Sequence, residues 1–297
     1  MASQANQPLP AGYVLQDYHI KRVLAVGGFS FVYLAQDTKE RPVAIKEYLP
    51  ATLALRVNGA AHPQIPEEHL AKFRAGMKCF FEEAGAIANL DHPNIVRVLD
   101  FFRANETVYL VMRYERGRSL AEHIKQRRGP AEELWLRNTF ARLLDGLREV
   151  HARKLLHLDI KPANVYLRND GSPVLIDFGA ARQVLSAEGM KLPPTYTPGF
   201  AAPEMHAQRE LLGPWSDVYS VGATMYACLA GASPQAANAR TEQDALVPAV
   251  RAFAGKYGAE ILEIIDWCLQ LDHLRRPQSV LALQKSLLGE KPSHSPG

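Results

Sequence analysis

The chain has 297 residues, 47% hydrophobic and 22% charged, which allows one large domain or two lobes with a sizeable core and excludes wholesale disorder. A net charge of +3, with Lys and Arg scattered, gives no reason to expect nucleic-acid binding. Three cysteines, far apart and inside apolar runs, read as buried thiols of a reducing compartment, and no CxxC or HxxxH spacing offers a zinc site.

The opening "MASQANQPLPAG" lacks the basic and apolar regions of a signal peptide. No run approaches the ~18 apolar residues of a membrane span, so the expected location is cytoplasmic. Residues 18–26 and 31–37 read as short strands separated by "GGFS", and "PVAIKEYL" at 42–49 extends them into an antiparallel meander. Residues 50–66, rich in Ala, Pro, Gly and Asn, read as a long loop, either a simple elaboration or a surface for a regulatory partner. Pro66-Glu67-Glu68 opens a helix, and Leu70, Phe73, Met77, Phe80, Ala84, Ile87 and Leu90 give it one buried face. "DHPN" at 91–94 ends that helix, and "IVRVLDFF" and "TVYLVMRY" follow as strands.

"ERGRSL" at 115–120 marks a change to mainly helical sequence, and "KQRR" at 125–128, the densest basic cluster, reads as a solvated helix end. A long helix precedes "LLHLDIKPANVYLR" at 155–168. "VYLR" and "PVLI" then flank Asn169-Asp170-Gly171-Ser172 as a tight hairpin. Helical patterns return at 216–230 and 259–270. The expected fold is α+β. A β-rich N-terminal lobe with one main helix spans about 13–112, a hinge 113–118, and a mainly helical C-terminal lobe 119–289. Residues 1–12 and 290–297 read as loose termini. A cleft between two lobes is a natural ligand site.

Several stretches carry chemistry. "AVGGFSFV" at 25–32 joins two strands through glycines whose bare amides can cradle phosphate, although a hairpin using glycine for geometry explains it equally. Lys46 ends "VAIK", where it could pair phosphates or simply face water. Glu83 lies beside the apolar stripe of the first helix and could meet Lys46. Asp159, Lys161 and Asn164 stand at regular offsets in an apolar frame, and "LIDFG" puts Asp177 at the end of the hairpin near Asn164. An Asp and an Asn at one point supply hard oxygen ligands, which suit Mg²⁺ held by few protein groups.

Together these pieces resemble the protein kinase family from about Tyr13 to Leu288, closest to bacterial serine/threonine kinases of the eukaryotic-like type. The resemblance rests on "VAIK", "EAGAIANLDHPNIV", "HLDIKPAN", "DFG", "TPGFAAPE", "SDVYSVGATMYACLAG" and "RRPQS", in that order. It implies ATP and Mg²⁺, with Mn²⁺ as an alternative ion, and a protein substrate with a Ser or Thr acceptor. Lys46, held by Glu83, would orient the phosphates, while Asn164 and Asp177 would hold metal. Asp159 would accept the substrate proton and Lys161 would offset charge on the transferring group. Ala25, Val26, Gly27 and Gly28 would cover the phosphates. Val32, Ala44 and Tyr166 would enclose the adenine, Met112 would guard the back of the pocket, and the backbone of Arg113 and Glu115 would bond the adenine edge. Thr195 and Thr197 fall in the activation segment, whose closing Glu204 would pair with Arg276.

Four departures stand out. Ala25 and Ser30 replace the outer glycines of the family's loop, and Tyr166 stands where Leu is usual. The run from Lys46 to Glu83 is long, and Leu158 replaces the Arg that usually precedes the catalytic Asp. An alkyl side chain cannot receive a phosphate, so activity is expected without phosphorylation of Ser186, Thr195 or Tyr196. The altered glycine loop keeps a pseudokinase as the alternative. A small-molecule kinase of similar fold is disfavoured by "TPGFAAPE" and Lys161.

Overall fold

Alternating burial along two central strands shapes the first part of the molecule, seen in a computed structural model that describes residues 6–57, 59–178 and 197–289. Six strands, β1 (Val14–Leu15), β2 (Tyr18–Val26), β3 (Ser30–Gln36), β4 (Pro42–Tyr48), β5 (Val98–Ala104) and β6 (Thr107–Arg113), form one antiparallel sheet in the order β1-β2-β3-β4-β6-β5. On β3, Phe31, Tyr33 and Ala35 are buried while the residues between them are half-buried. The register sets Val32 against Lys46, Lys46 against Leu110 and Ala44 against Met112. Because side chains alternate across a strand, Val32, Ala44, Lys46 and Met112 share one face, and Tyr33, Glu47 and Tyr109 share the other.

Helix α1 (Glu67–Ala88) starts after Pro66 with two acids in its first turn and buries Phe73, Phe80, Glu83, Ala84 and Ile87. Tyr48 packs at a tilt against Phe73 and Phe80, with ring centroids 5.3 and 5.8 Å away. Its hydroxyl lies where a side chain at Gly76 would stand, so this approach requires glycine.

The opposite face of the sheet corrects one expectation. Arg56, from the 50–66 segment, is wholly buried and forks onto Glu47, Nη1 to Oε1 at 2.6 Å and Nη2 to Oε2 at 2.7 Å. Tyr33 and Tyr109 each donate a hydroxyl to the same carboxylate at 2.6 Å. Residues 6–9 close over the group: Arg56 Nε donates to the Gln7 carbonyl at 2.8 Å, and the N–H of buried Leu9 donates to the Tyr33 hydroxyl at 3.1 Å. The stretch from Asn6 on is therefore pinned rather than loose. The 50–66 segment is a loop, as expected, narrowed by a bridge between Leu55 and Gln64 and fastened to the sheet through the Arg56 side chain. Burial of the ion pair demands this closure, since every donor and acceptor removed from water needs a partner.

The chain divides into two units, one comprising residues up to Asp91 with Val96–Glu115 and the other His92–Ile95 with the described residues from Arg116 on. Inclusion of 92–95 in the second unit was not legible in the sequence. It follows from Asn94, whose amide donates to the Pro173 carbonyl at 2.7 Å and whose carbonyl accepts from Leu175 at 2.9 Å.

The second unit holds a small sheet, β7 (Gly117–Ser119), β8 (Val165–Arg168) and β9 (Pro173–Leu175). Its helices are α2 (Leu120–Gln126), α3 (Glu133–Ala152), α4 (Pro203–Ala207), α5 (Pro214–Ala230), α6 (Ala237–Glu242), α7 (Ala249–Ala252), α8 (Ala259–Cys268) and α9 (Val280–Leu287). The "SLAE" at 119–122 is a capping box: Ser119 Oγ accepts from the Glu122 N–H at 3.1 Å and Glu122 accepts from the Ser119 N–H at 2.8 Å. Helix α5 is buried continuously from Ser216 to Cys228, as its apolar sequence requires, and ends at left-handed Gly231. Among the described residues no helix is long and apolar enough to cross a membrane.

Candidate active site

Residues 155–164 run from the end of α3 to β8. Leu155, Leu156, Leu158 and Ile160 are buried, which leaves Asp159 and Lys161 on the partly exposed side. Asp217 of α5 clamps this segment, accepting from the N–H of His157 at 2.9 Å and of Leu158 at 2.7 Å and meeting His151 Nε2 at 2.7 Å. Leu158 takes a left-handed backbone, φ 59°, which costs a non-glycine residue about 1–2 kcal/mol and is held by these bonds. Burial pushes the Asp217 carboxyl up, but His151, His157 and the His157 N–H together bring it below the ordinary carboxylate range. Sequence reasoning does not single out Asp217. The available signal was an acid inside an apolar helix, where a buried carboxylate needs donors.

Asp159 is the centre of a hydrogen-bonded cluster. Lys161 Nζ donates to its two carboxylate oxygens at 3.0 and 2.8 Å and to Thr197 Oγ1 at 2.7 Å. Asn164 Nδ2 donates to the Asp159 carboxylate at 2.7 Å and to its carbonyl at 2.9 Å. The Asn164 amide oxygen is therefore its donor atom for a cation. The Ile176 N–H bonds the Asn164 carbonyl at 3.1 Å, which brings Asp177 to the same end of the hairpin. An amide oxygen and a carboxylate are hard donors, and the pair fits a Mg²⁺ ion that takes most of its shell from phosphate and water.

His157 is buried against Phe178, ring centroids 4.6 Å apart. Burial, opposed by the charges of Asp217, Asp159 and Asp177, holds its pKa below the ordinary 6.5. Because the folded-state value is depressed, the unfolded chain binds a proton first as pH falls. Stability is therefore complete above about pH 6.5 and is lost below it, with a slope of up to about 1.4 kcal/mol per pH unit from this residue, until the folded imidazole itself charges. Denaturant midpoints measured between pH 7.5 and 5 should fall in the wild type and fall less in His157→Asn. An identical slope in both would refute this origin.

In the first unit, Lys46 Nζ lies over the Phe80 ring, 5.7 Å from its centroid, and Glu83 is buried one turn further along α1. Ala25, Val26, Gly27 and Gly28 are exposed at the β2–β3 turn. The Gly27 N–H is bonded to the Ser30 carbonyl at 2.9 Å, and the carbonyls of Gly28 and Phe29 accept from Ala51 and Leu49 at 2.9 Å. This amends the expected amide-rich cradle: the tip is fastened to the chain after β4, and the Gly27 amide is used within the turn. Neither Ala25 nor Ser30 has a positive φ, so their side chains carry no left-handed backbone penalty here. The Arg113 N–H is bonded to the Arg97 carbonyl at 2.9 Å, so only its carbonyl could meet a ligand; Glu115 is half-buried. Tyr166, on β8 of the second unit, is half-buried opposite Ser119 and Val174. Thr195, with Ser186 and Tyr196, lies outside the described residues. Buried Glu204 meets Arg276 at 2.7 and 3.0 Å and accepts from the Ser216 hydroxyl at 2.7 Å.

A protein kinase domain model matches residues 18–288. The chain belongs to the protein kinase family. Serine/threonine-protein kinase C of Synechocystis sp. is 29% identical over 287 residues, covering 92% of this chain and 49% of the relative. Serine/threonine-protein kinase PknA of Nostoc sp. is 31% identical over 228 residues, covering 73% of this chain and 38% of the relative. The kinase chain thus spans about half or less of the length of these relatives. Among solved structures, PpkA-294 in its apo form has 31% identity and a TM-score of 0.84, over 94% of this chain and 99% of that one. The PknI kinase domain of Mycobacterium tuberculosis, at 22% identity and a TM-score of 0.70 over 96% and 100%, shares the fold. The six-stranded sheet with α1 and the mainly helical second unit are the two lobes of the kinase fold.

Proposed function

We propose that the kinase chain transfers the γ-phosphate of ATP to a Ser or Thr hydroxyl of a protein substrate, in the cytoplasm, without prior phosphorylation of its own activation segment. The Asp159–Lys161–Asn164–Thr197 cluster carries this reading. A carboxylate held by the side chains of a lysine and an asparagine can take a proton from a hydroxyl without moving. Lys161 then offsets charge on the transferring group, and its bond to Thr197 supports a Ser or Thr acceptor. Lys46, on the face shared with Val32, Ala44 and Met112, would orient phosphates beneath an apolar adenine site. Asn164 and Asp177 would hold Mg²⁺, or Mn²⁺ in its place, which neutralises phosphate charge when bound.

Leu158 supports independence from loop phosphorylation. Its side chain is buried at 2% exposure and its N–H is fixed to Asp217, so the segment is ordered without a phosphate partner. Unphosphorylated protein and a Thr195→Ala variant are expected to transfer phosphate at rates within a few-fold of each other. Activity confined to the phosphorylated form would end this part of the reading. The activity itself is tested by autophosphorylation with Mg-ATP beside Asp159→Asn. No incorporation, and none onto a generic protein substrate, would favour the pseudokinase.

A further inference from the structure

The second unit carries a basic cavity that phosphotransfer leaves unused. It has a volume of about 360 Å³ and lies where β7 and the β8–β9 turn meet α2 and α3. Two guanidinium groups, of Arg118 and Arg168, and a stacked ring pair, His123 and Trp135, line it. The rings are 4.8 Å apart at 20°. Both arginine side chains are held by hydrogen bonds, although Arg118 is exposed. Arg118 Nη1 donates to Gln126 Oε1 at 3.0 Å and its Nη2 meets His123 Nδ1 at 3.1 Å, while Arg168 Nη1 donates to the Pro93 carbonyl at 2.8 Å.

A guanidinium cannot accept a hydrogen bond, so His123 Nδ1 is the acceptor and its ring is neutral. Burial and the charges of Arg118 and Arg127 hold its pKa down, consistent with that state. Cations also outnumber acids along residues 115–128, where Glu115 and Glu122 are the acids. Arg116, Lys125, Arg127 and Arg128 lie on the same stretch as Arg118. The nearby acids are engaged elsewhere: Glu122 closes the cap on Ser119, and Asp170 accepts from the N–H and hydroxyl of Ser172. Forked, pre-positioned guanidinium groups match the planar or tetrahedral oxygens of an anion, and the ring pair offers flat apolar surface beside them.

We propose that this cavity docks an anionic side chain, a carboxylate or a phosphate, carried on an extended segment of the protein substrate. The proposal rests on the kinase reading for its substrate but not for its binding test. Trp135 lines the cavity, so nucleotide-free protein can be titrated with peptides while tryptophan fluorescence is followed. Three versions of one Ser-containing peptide would be compared: with a Glu, with a phosphoserine, and with Gln at that position. The Glu and phosphoserine peptides are expected to give a saturable change, absent in Trp135→Phe. Arg118→Gln, a surface substitution, should weaken both by at least about tenfold. The ratio of the two affinities tells which anion is preferred.

Equal binding of the Gln peptide, no effect of Arg118→Gln, or full reproduction by inorganic phosphate at the same concentration would overturn docking of a protein segment. The same preparations, assayed with ATP on a substrate lacking acidic residues, separate the two readings. Peptide binding without any phosphate transfer would count against the kinase reading alone, and transfer with no anion-dependent binding against the docking site alone.

Discussion

Asp159→Asn is expected to leave the fold intact and to lower phosphate transfer by on the order of 10²–10⁴. The substitution keeps the shape of a side chain that is only half-buried, so unfolding midpoints should move little. It removes the carboxylate proposed to accept the proton, to which Lys161 and Asn164 both present donors. It also sets an uncharged amide against the Lys161 ammonium, which then faces Thr197 without its carboxylate partner. Single-turnover assays at saturating Mg-ATP would measure the loss. A variant as active as wild type would show that the cluster is not the phosphotransfer centre.

The second large effect concerns stability. Arg56→Met strands the Glu47 carboxylate at 0% exposure, with only Tyr33 and Tyr109 still donating to it, and should cost about 3–5 kcal/mol in urea unfolding. Glu47→Leu combined with Arg56→Met removes both charges and should recover most of that loss, since apolar residues of similar volume can replace a buried pair. If the single variant is as stable as wild type, the pair is not the anchor of the 50–66 segment. A double variant no better than the single would locate the loss in packing rather than in the uncompensated charge.

The fold was largely legible because its elements announce themselves locally. The stripe from Phe73 to Ile87 has helical period, β3 alternates, and Asn169 to Ser172 is a turn by composition. The kinase motifs placed Asp159, Lys161 and Asn164, and the structure ties them to one another. What stayed hidden depends on contacts between distant segments. Asp217 reads as an ordinary helix acid until His157 and Leu158 are folded onto it. Arg56 reads as one cation in a loop rich in Ala, Pro, Gly and Asn, because nothing near it in sequence says that Glu47, Tyr33 and residues 6–9 will enclose it. Asn94 belongs to the second unit only through bonds to Pro173 and Leu175. The glycine loop left two readings open, a phosphate cradle or a geometric hairpin, and the turn uses the Gly27 amide itself.

The seal formed by residues 6–9 has a practical consequence for where this kinase can be cut. The family match begins at residue 18, and a chain trimmed there would still contain all the matched motifs. It would, however, open the roof over Arg56 and Glu47, admit water to a carboxylate built for a dry environment, and leave the Tyr33 hydroxyl without its Leu9 donor. The boundary suited to expression or crystallisation therefore lies before Asn6, set by a hydrogen-bond network rather than by resemblance.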